Sequence, residues 1–250
     1  MVNIVWQSVI NVLAPRKCLV CGNVFEETFT PKRFDVMSHI CQRCFDRLPI
    51  APKPDTLLGE IAKNFLGEKF AFSRIISRFA KKDDLEQEYL HEEDNAAVSE
   101  IIYAIKYHGM KDAGRAFGRE LGETLQMLGW TDYDALVPVP IHSARKRERG
   151  YNQSDFIAQG VADILHIPVQ TAWVHRKNYT LSQTYFSFEE RKENVRNVFA
   201  VNPQKVQSLR GASILLIDDI LTTGSTLNAC GVTLLEGGAK RIDAATLAKA

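Results

Sequence analysis

Apolar residues recur at helical spacing at the start of the chain, at Val2, Val5, Trp6, Val9, Val12 and Leu13, with Asn3, Gln7, Ser8 and Asn11 among them. The spacing predicts an amphipathic helix docked on the protein. A helix lying on a membrane surface fits less well, because the stretch holds no Lys or Arg. Pro49, Pro52 and Pro54 then interrupt every regular ladder and mark a boundary. Beyond it, Lys69 to Ala80 alternates and is rich in β-formers, which predicts an early strand. Residues 81–94 hold seven acids and two lysines, the pattern of a solvated loop or hairpin.

From Asn95 onward, strands alternate with helices. Val98, Ile101, Ile102 and Ile105 form a helical stripe, and 111–128 reads as a second helix. Ala135 to Pro140 is a short apolar strand stopped by prolines, after which Ile157, Val161, Ile164 and Leu165 predict a helix from Gln153 on. Short strands are expected around Ile167 to Val169 and over Val198 to Val201. Ile214-Leu-Leu-Ile217 shows no alternation, as a strand covered on both faces requires. Leu227, Cys230 and Leu234 mark a helix closed by Gly237-Gly238, and Ile242 to Leu247 forms the last strand. The order predicts an α/β fold, a doubly wound and mostly parallel sheet.

Composition narrows the class without naming a function. At 250 residues, 45% hydrophobic and 24% charged, the chain can bury a real core, which excludes a disordered, collagen-like or coiled-coil protein. A net charge of +1 provides no global basic field, so any nucleic-acid contact must come from a local patch. No apolar run reaches the ~18 residues of a membrane span, and the start lacks the basic leader of a secretory signal. The cytoplasm is the expected compartment.

Four of the five cysteines form two pairs, Cys18-Leu-Val-Cys21 and Cys41-Gln-Arg-Cys44, nineteen residues apart. Each Cys-x-x-Cys turn aims two thiolates at one point, and two turns complete a tetrahedral shell for Zn2+. Gly22 follows the first pair, where a tight knuckle needs positive φ. Disulfides would compete only in an oxidising compartment. Four sulfurs leave no open position, so this zinc is structural. His39 stands two residues before Cys41 and could substitute as a ligand, but a surface role suits it better; Cys230 reads as a small core residue. Residues 1–48 then form an N-terminal helix with a zinc module, 49–68 a linker, and 69–250 the α/β domain.

The segment Ile214-Leu-Leu-Ile-Asp-Asp-Ile-Leu-Thr-Thr-Gly-Ser-Thr226 runs from a buried strand through two acids into a small-residue turn and a helix. In such sheets ligands bind beyond the carboxyl ends of the strands. Thr222, Thr223, Gly224, Ser225 and Thr226, with Leu221 before them, would present amides and hydroxyls at a helix N-terminus, which suits a phosphate. Asp218 and Asp219 could accept hydrogen bonds from vicinal hydroxyls or face Mg2+. Phosphate at one end and sugar hydroxyls at the other describe a pentose phosphate. No Gly-x4-Gly-Lys-[Ser/Thr] occurs, which excludes a Walker A loop. The loop after Pro140 carries Arg145, Lys146, Arg147 and Arg149 against Glu148 and is strongly basic. His108, His142, His166 and His175 have no spacing that suggests a metal or a triad.

The thirteen-residue block resembles the phosphoribosyl-pyrophosphate (PRPP) motif of type I phosphoribosyltransferases at every position. Val137-Pro-Val-Pro140, followed by His142, Arg145, Arg149, Gly150, Tyr151, Asn152 and Gln153, resembles the competence protein F (ComF) family. So do Lys106-Tyr107-x-Gly109 and Ser182-Gln183 … Arg191-x-x-Asn194-Val195-Arg196-x-x-Phe199. The resemblance runs over nearly the whole chain and implies a four-cysteine zinc finger joined to a phosphoribosyltransferase-like domain. It departs from the family at the acidic 81–94 stretch and at Tyr185-Phe186-x-Phe188.

By resemblance, the loop bearing His142, Arg145, Arg149, Gly150 and Asn152 holds pyrophosphate, and Mg2+ accompanies PRPP. The segment 172–197 matches a hood over the ligand, with Gln183, Arg191 and Asn194 closing on it; a loop this long is usually functional or disordered. The resemblance also implies a role with single-stranded DNA in natural transformation, with competence helicase or recombination proteins as partners. The basic loop beside Tyr151, with Arg16, Lys17, Lys32, Arg33, Arg43 and Arg47 of the zinc module, could track a phosphate backbone. The alternative is an enzyme that transfers phosphoribosyl to a base or amine in nucleotide salvage or synthesis.

Overall fold

The computed structural model describes residues 16–25, 34–81, 92–177 and 198–250, with 92–95 as backbone only. The predicted N-terminal helix, Lys32 and Arg33, the acidic stretch over 82–91, and the segment 178–197 with Gln183, Arg191 and Asn194 lie outside those residues. The strands are β1 (Phe72–Ala80), β2 (Ala135–Pro138), β3 (Val174–Arg176), β4 (Phe199–Val201), β5 (Ser213–Leu221) and β6 (Arg241–Lys249). The helices are α1 (Gln42–Asp46), α2 (Pro54–Lys63), α3 (Glu92–Tyr107), α4 (Lys111–Met127), α5 (Ser143–Arg149), α6 (Gln153–Leu165), α7 (Val206–Leu209) and α8 (Ser225–Glu236).

A four-stranded parallel sheet runs in the order β1-β6-β5-β2. β5 lies inside it, which is why its apolar run shows no alternation. Its two faces serve different cores. Leu215 and Ile217 pack with Leu121, Ile157 and Val161 of α4 and α6, while Ile214 and Leu216 pack with Leu57, Ile61, Leu227 and Cys230 of α2 and α8. The loops leaving the adjacent strands β2 and β5 therefore depart to opposite faces. Such a divergence opens a crevice at the carboxyl ends.

The α4–α6 layer is pulled in by glycine. A Cβ on Gly160 would lie 2.1 Å from the Arg115 carbonyl oxygen, and one on Gly118 would lie 2.3 Å from that of Ile157. The two helix backbones touch there, which only residues without side chains allow. At the amino ends of the strands, fully buried Asp243 accepts hydrogen bonds from Arg74 (2.9 Å) and the Tyr133 hydroxyl (2.8 Å), tying β1 and β6 to the approach to β2.

Several expectations need correction. Residues 49–68 do not behave as a linker: Pro54 opens α2 at its first turn, where a missing N–H costs nothing, and Leu57 and Ile61 are buried. Glu92 to Asp94, read as the end of an acidic loop, begin α3. The strand expected at Ile167 to Val169 is a single bridge from Val169 to Leu136, because Pro168 can accept from Leu136 (2.9 Å) but has no N–H to donate. The basic loop is helical: His142 caps α5 by accepting from the Ala144 N–H, and Gly150, at φ 77°, ends it. The strand at Val198 to Val201 forms as β4, but it pairs antiparallel with β3 in a separate ribbon.

Candidate functional site

The four paired cysteines converge. Their Sγ atoms lie within 4.8 Å of one another, and Cys21 and Cys41 are 3.9 Å apart. Zn–S bonds of about 2.3 Å in a tetrahedron require S–S edges of ~3.8 Å, so the set fits zinc. Gly22, at φ 71°, lets its N–H reach the Cys18 carbonyl, and the Leu19 N–H binds the His39 carbonyl, locking one knuckle to the other. Burial raises Cys18, but backbone N–H groups of Cys21, Cys41 and Val20 more than offset it and leave the thiol at about 7. Burial pushes Cys44 well up, with Cys41 and Cys21 adding to it. Four thiols this close need a cation before all of them ionise. His39 is half-buried and not exposed as expected; burial lowers its pKa, and it does not join the sulfur cluster.

The cysteine module does not stand apart from the sheet. Cys18, Val36, Ile40 and Leu48 share one core with Ile76 and Phe79, and the Phe45 ring meets Phe79 edge-on. Cys44→Ser is therefore expected to take metal from about one zinc per chain to near none and to lower Tm of the whole protein by roughly 5 °C or more. Cys230→Ala, remote from the cluster, should keep its zinc. Metal analysis with thermal unfolding checks both.

The second site is the crevice between β2 and β5. Asp218 and Asp219 stand near the carboxyl end of β5 and both line the cavity. They lie within the strand and not after it, because pairing with β6 continues past them. Asp218 accepts from Ser154 Oγ (2.9 Å) and from the Asp219 N–H (2.9 Å). Burial, and then the neighbouring Asp219 carboxylate, push Asp218 up to about 7. Lys106 of α3 stands 3.1 Å from Asp219 Oδ2, an ion-pair distance, yet that buried oxygen accepts no hydrogen bond within the protein.

Leu221 to Thr226 line the same cavity. Leu221 is buried, Thr222, Thr223, Ser225 and Thr226 are exposed, and Gly224, at φ 80°, is the N-cap of α8. Thr223 Oγ1 lies 2.9 Å from Ser225 Oγ and bends the turn into a cup. A Cβ on Gly224 would sit 2.7 Å from Ile61 of α2, and Asn64 just beyond α2 donates to the Thr223 carbonyl (3.1 Å). The segment read as a linker is thus the floor under the cup.

Of the loop residues expected at pyrophosphate, Arg145 and Arg149 line the cavity and the others do not. His142 caps α5. Gly150 ends it. Asn152 is buried and donates to the Val139 carbonyl (3.1 Å) and to Asp155 (2.8 Å), stapling the loop after β2 to α6. Tyr151 is buried beneath α3 with its hydroxyl on the Ile105 carbonyl, so its ring is not offered to solvent beside the basic segment. Arg16, Lys17 and Arg43 of the cysteine module are exposed, and Arg47 is half-buried.

Residues 155–250 match the family described as phosphoribosyl transferase domain. The chain is 31% identical over 153 residues to competence protein F of Haemophilus influenzae, covering 61% of this chain and 62% of that protein. Over about three fifths of its length the chain is similar to competence protein F and its relatives. A second ComF-type relative, DNA utilization protein YhgH of Escherichia coli K12, is 29% identical over 58% of this chain and 64% of its own length. The chain thus spans under two thirds of the length of either relative. Glutamine PRPP amidotransferase from B. subtilis is 18% identical over 58% of this chain and 30% of its own, with a TM-score of 0.41. Among the described residues, no helix is long and apolar enough to cross a membrane.

The cavity also uses residues that pattern reading did not assign. Lys106, Gln153 and Arg176 line it, and Ser154 reaches Asp218 from α6. Lys106 and Gln153 fall within the family-like segments, which was a signal. Arg176 had none; it arrives on β3, and burial, then repulsion from Arg145, lowers its pKa. Two guanidinium groups on the wall of one cavity leave a place for an anion.

Proposed function

We propose that the chain binds PRPP in the β2–β5 cavity and handles single-stranded DNA in natural transformation. One observation carries the first half: two carboxylates, a hydroxyl-lined helix N-terminus and four cations open into a single cavity. In this reading Asp218 and Asp219 take the ribose hydroxyls, and the cup from Leu221 to Thr226 takes the 5′-phosphate. Arg145 and Arg149, joined by Arg176, take the diphosphate, while His142, Gly150 and Asn152 shape the wall that carries them. Four cations against two acids favour a polyanion.

The two acids are also the oxygen donors that would face Mg2+, and Asp219 Oδ2, buried and held by no hydrogen bond beyond its ion pair with Lys106, fits such a role. When bound, that ion neutralises charge on the diphosphate. Residues 1–48 hold the structural zinc, 49–68 brace the cup, and 69–250 carry the ligand. Thiolates of this kind persist in a reducing compartment, so the protein acts in the cytoplasm. The names borne by its relatives, a competence protein and a DNA utilization protein, support the second half and make competence helicase or recombination proteins the expected partners.

Calorimetry with Mg-PRPP tests the first half. Saturable binding is expected, and a folded protein that gives no heat would overturn it. Pyrophosphate release in the presence of nucleobases separates binding from transfer: release that depends on an acceptor would replace this reading with a phosphoribosyltransferase of nucleotide salvage or synthesis.

A further inference from the structure

α3 turns an unusual face to solvent. Its inner positions, Ile101, Ile102 and Ile105, are buried, as an amphipathic helix requires. At i and i+4 on the outer side stand Tyr103 and Tyr107, 50% and 51% exposed. Their ring centroids are 4.8 Å apart, and His108 meets Tyr103 edge-on at 5.2 Å. Neighbouring exposed aromatics of this kind offer π-faces to a ligand and gain nothing from the core.

The ladder does not end at α3. The Arg149 guanidinium lies 4.6 Å over the Tyr107 ring and donates to its hydroxyl (3.1 Å), and Arg149 also lines the β2–β5 cavity. From Arg149 the surface continues along α5, where Arg145, Lys146 and Arg147 are exposed. Rings, a stacked guanidinium and the exposed cations of α5 therefore adjoin one another beside the cavity.

We propose that Tyr103, Tyr107 and His108 are a stacking platform for unpaired nucleobases of a single strand whose phosphates run along α5. Charge complementarity selects this occupant: the cations beside the rings suit a polyanion, and stacked rings suit bases free of a partner strand. The platform rests on the DNA-handling half of the function proposed above and locates the surface that half needs.

The experiment is fluorescence anisotropy of a labelled oligo-dT of about 15 nucleotides across a salt series, with a duplex of equal length beside it. Tyr103→Ala and Tyr107→Ala should each weaken single-strand binding about tenfold, while the Phe variants keep it within about threefold. Lys146→Glu with Arg147→Glu should lower affinity and flatten the salt slope. Tyr103→Ala should leave Mg-PRPP affinity unchanged, which shows the fold intact. Binding that ignores the tyrosines, or duplex binding as tight as single-strand binding, overturns the platform and leaves a DNA role standing. No strand binding by a protein that still takes up PRPP overturns the platform and the DNA half together, not the donor site. Sedimentation of the free protein gives the remaining outcome: a dimer that Tyr103→Ala dissolves would make the face a protein contact and overturn the proposal.

Discussion

Asp218→Asn combined with Asp219→Asn is expected to abolish PRPP binding, and Asp218→Asn alone to raise the stability of the ligand-free protein above pH 7. Each carboxylate offers charge-assisted hydrogen bonds worth about 1.5–3 kcal/mol, so losing both costs on the order of 100-fold or more in affinity. The stability effect has the opposite sign because Asp218 is raised to about 7 from the 3.8 of a free carboxyl. Between those values the folded state binds the extra proton, so the contribution of this group falls as pH rises. Its penalty is nearly absent near pH 4 and complete above pH 7.

Single Asp218→Asn removes that titration. Its stability advantage over the unaltered protein should widen by roughly 1–2 kcal/mol between pH 6 and pH 8. Urea unfolding at the two pH values measures it, beside calorimetry with Mg-PRPP. A gap independent of pH, or a variant less stable at pH 8, would show that the carboxyl is not held out of water by the fold. Retained PRPP affinity in the double variant would reduce the acids to structural groups.

The second large effect lies away from any ligand. Gly160→Ala puts a methyl group 2.1 Å from the Arg115 carbonyl oxygen and 2.7 Å from the Arg119 nitrogen. Both neighbours are backbone and cannot swing aside. The helices α4 and α6 must separate by about an ångström, which loosens Phe117, Leu121, Ile157 and Val161 together. Destabilisation of about 3 kcal/mol or more is expected, against a helix-propensity gain near 1 kcal/mol.

Gly59→Ala in α2 is the contrasting case, since nothing lies within 4 Å of its Cβ and its backbone is helical. There only propensity acts, and a gain of about 0.5–1 kcal/mol is expected. Chemical denaturation of the two variants compares them directly. Equal effects would mean that the α4–α6 crossing yields more readily than backbone contact implies.

The two sites differ in how far they could be read in advance. The cysteine cluster was legible because its ligands come from two short turns whose spacing alone aims the sulfurs. The acids and cup from Asp218 to Thr226 were legible because one contiguous strand, turn and helix carries them all. Lys106, Ser154 and Arg176 come from α3, α6 and β3, and no local pattern links those segments. Asn152 and Gly150 were assigned by their neighbours in sequence, yet Asn152 turns inward to staple α6 and Gly150 serves to end α5. Tyr151 and Tyr107 show the same limit: two tyrosines in family-like segments, one buried and one exposed, with nothing in their immediate neighbours to tell them apart.

Periodicity and residue chemistry by themselves determined the alternating strands and helices, the buried β5, the sulfur set and the acid-and-hydroxyl segment, because each is encoded within about one element of chain. Only the tertiary structure decided that α2 is a floor and not a tether, that α5 is a helix bearing the basic wall, and that glycines let α4 and α6 touch. It also decided which side chains from distant elements complete the cavity. Those outcomes depend on long-range burial and close packing, whose energies belong to pairs of elements and leave no period in either one alone.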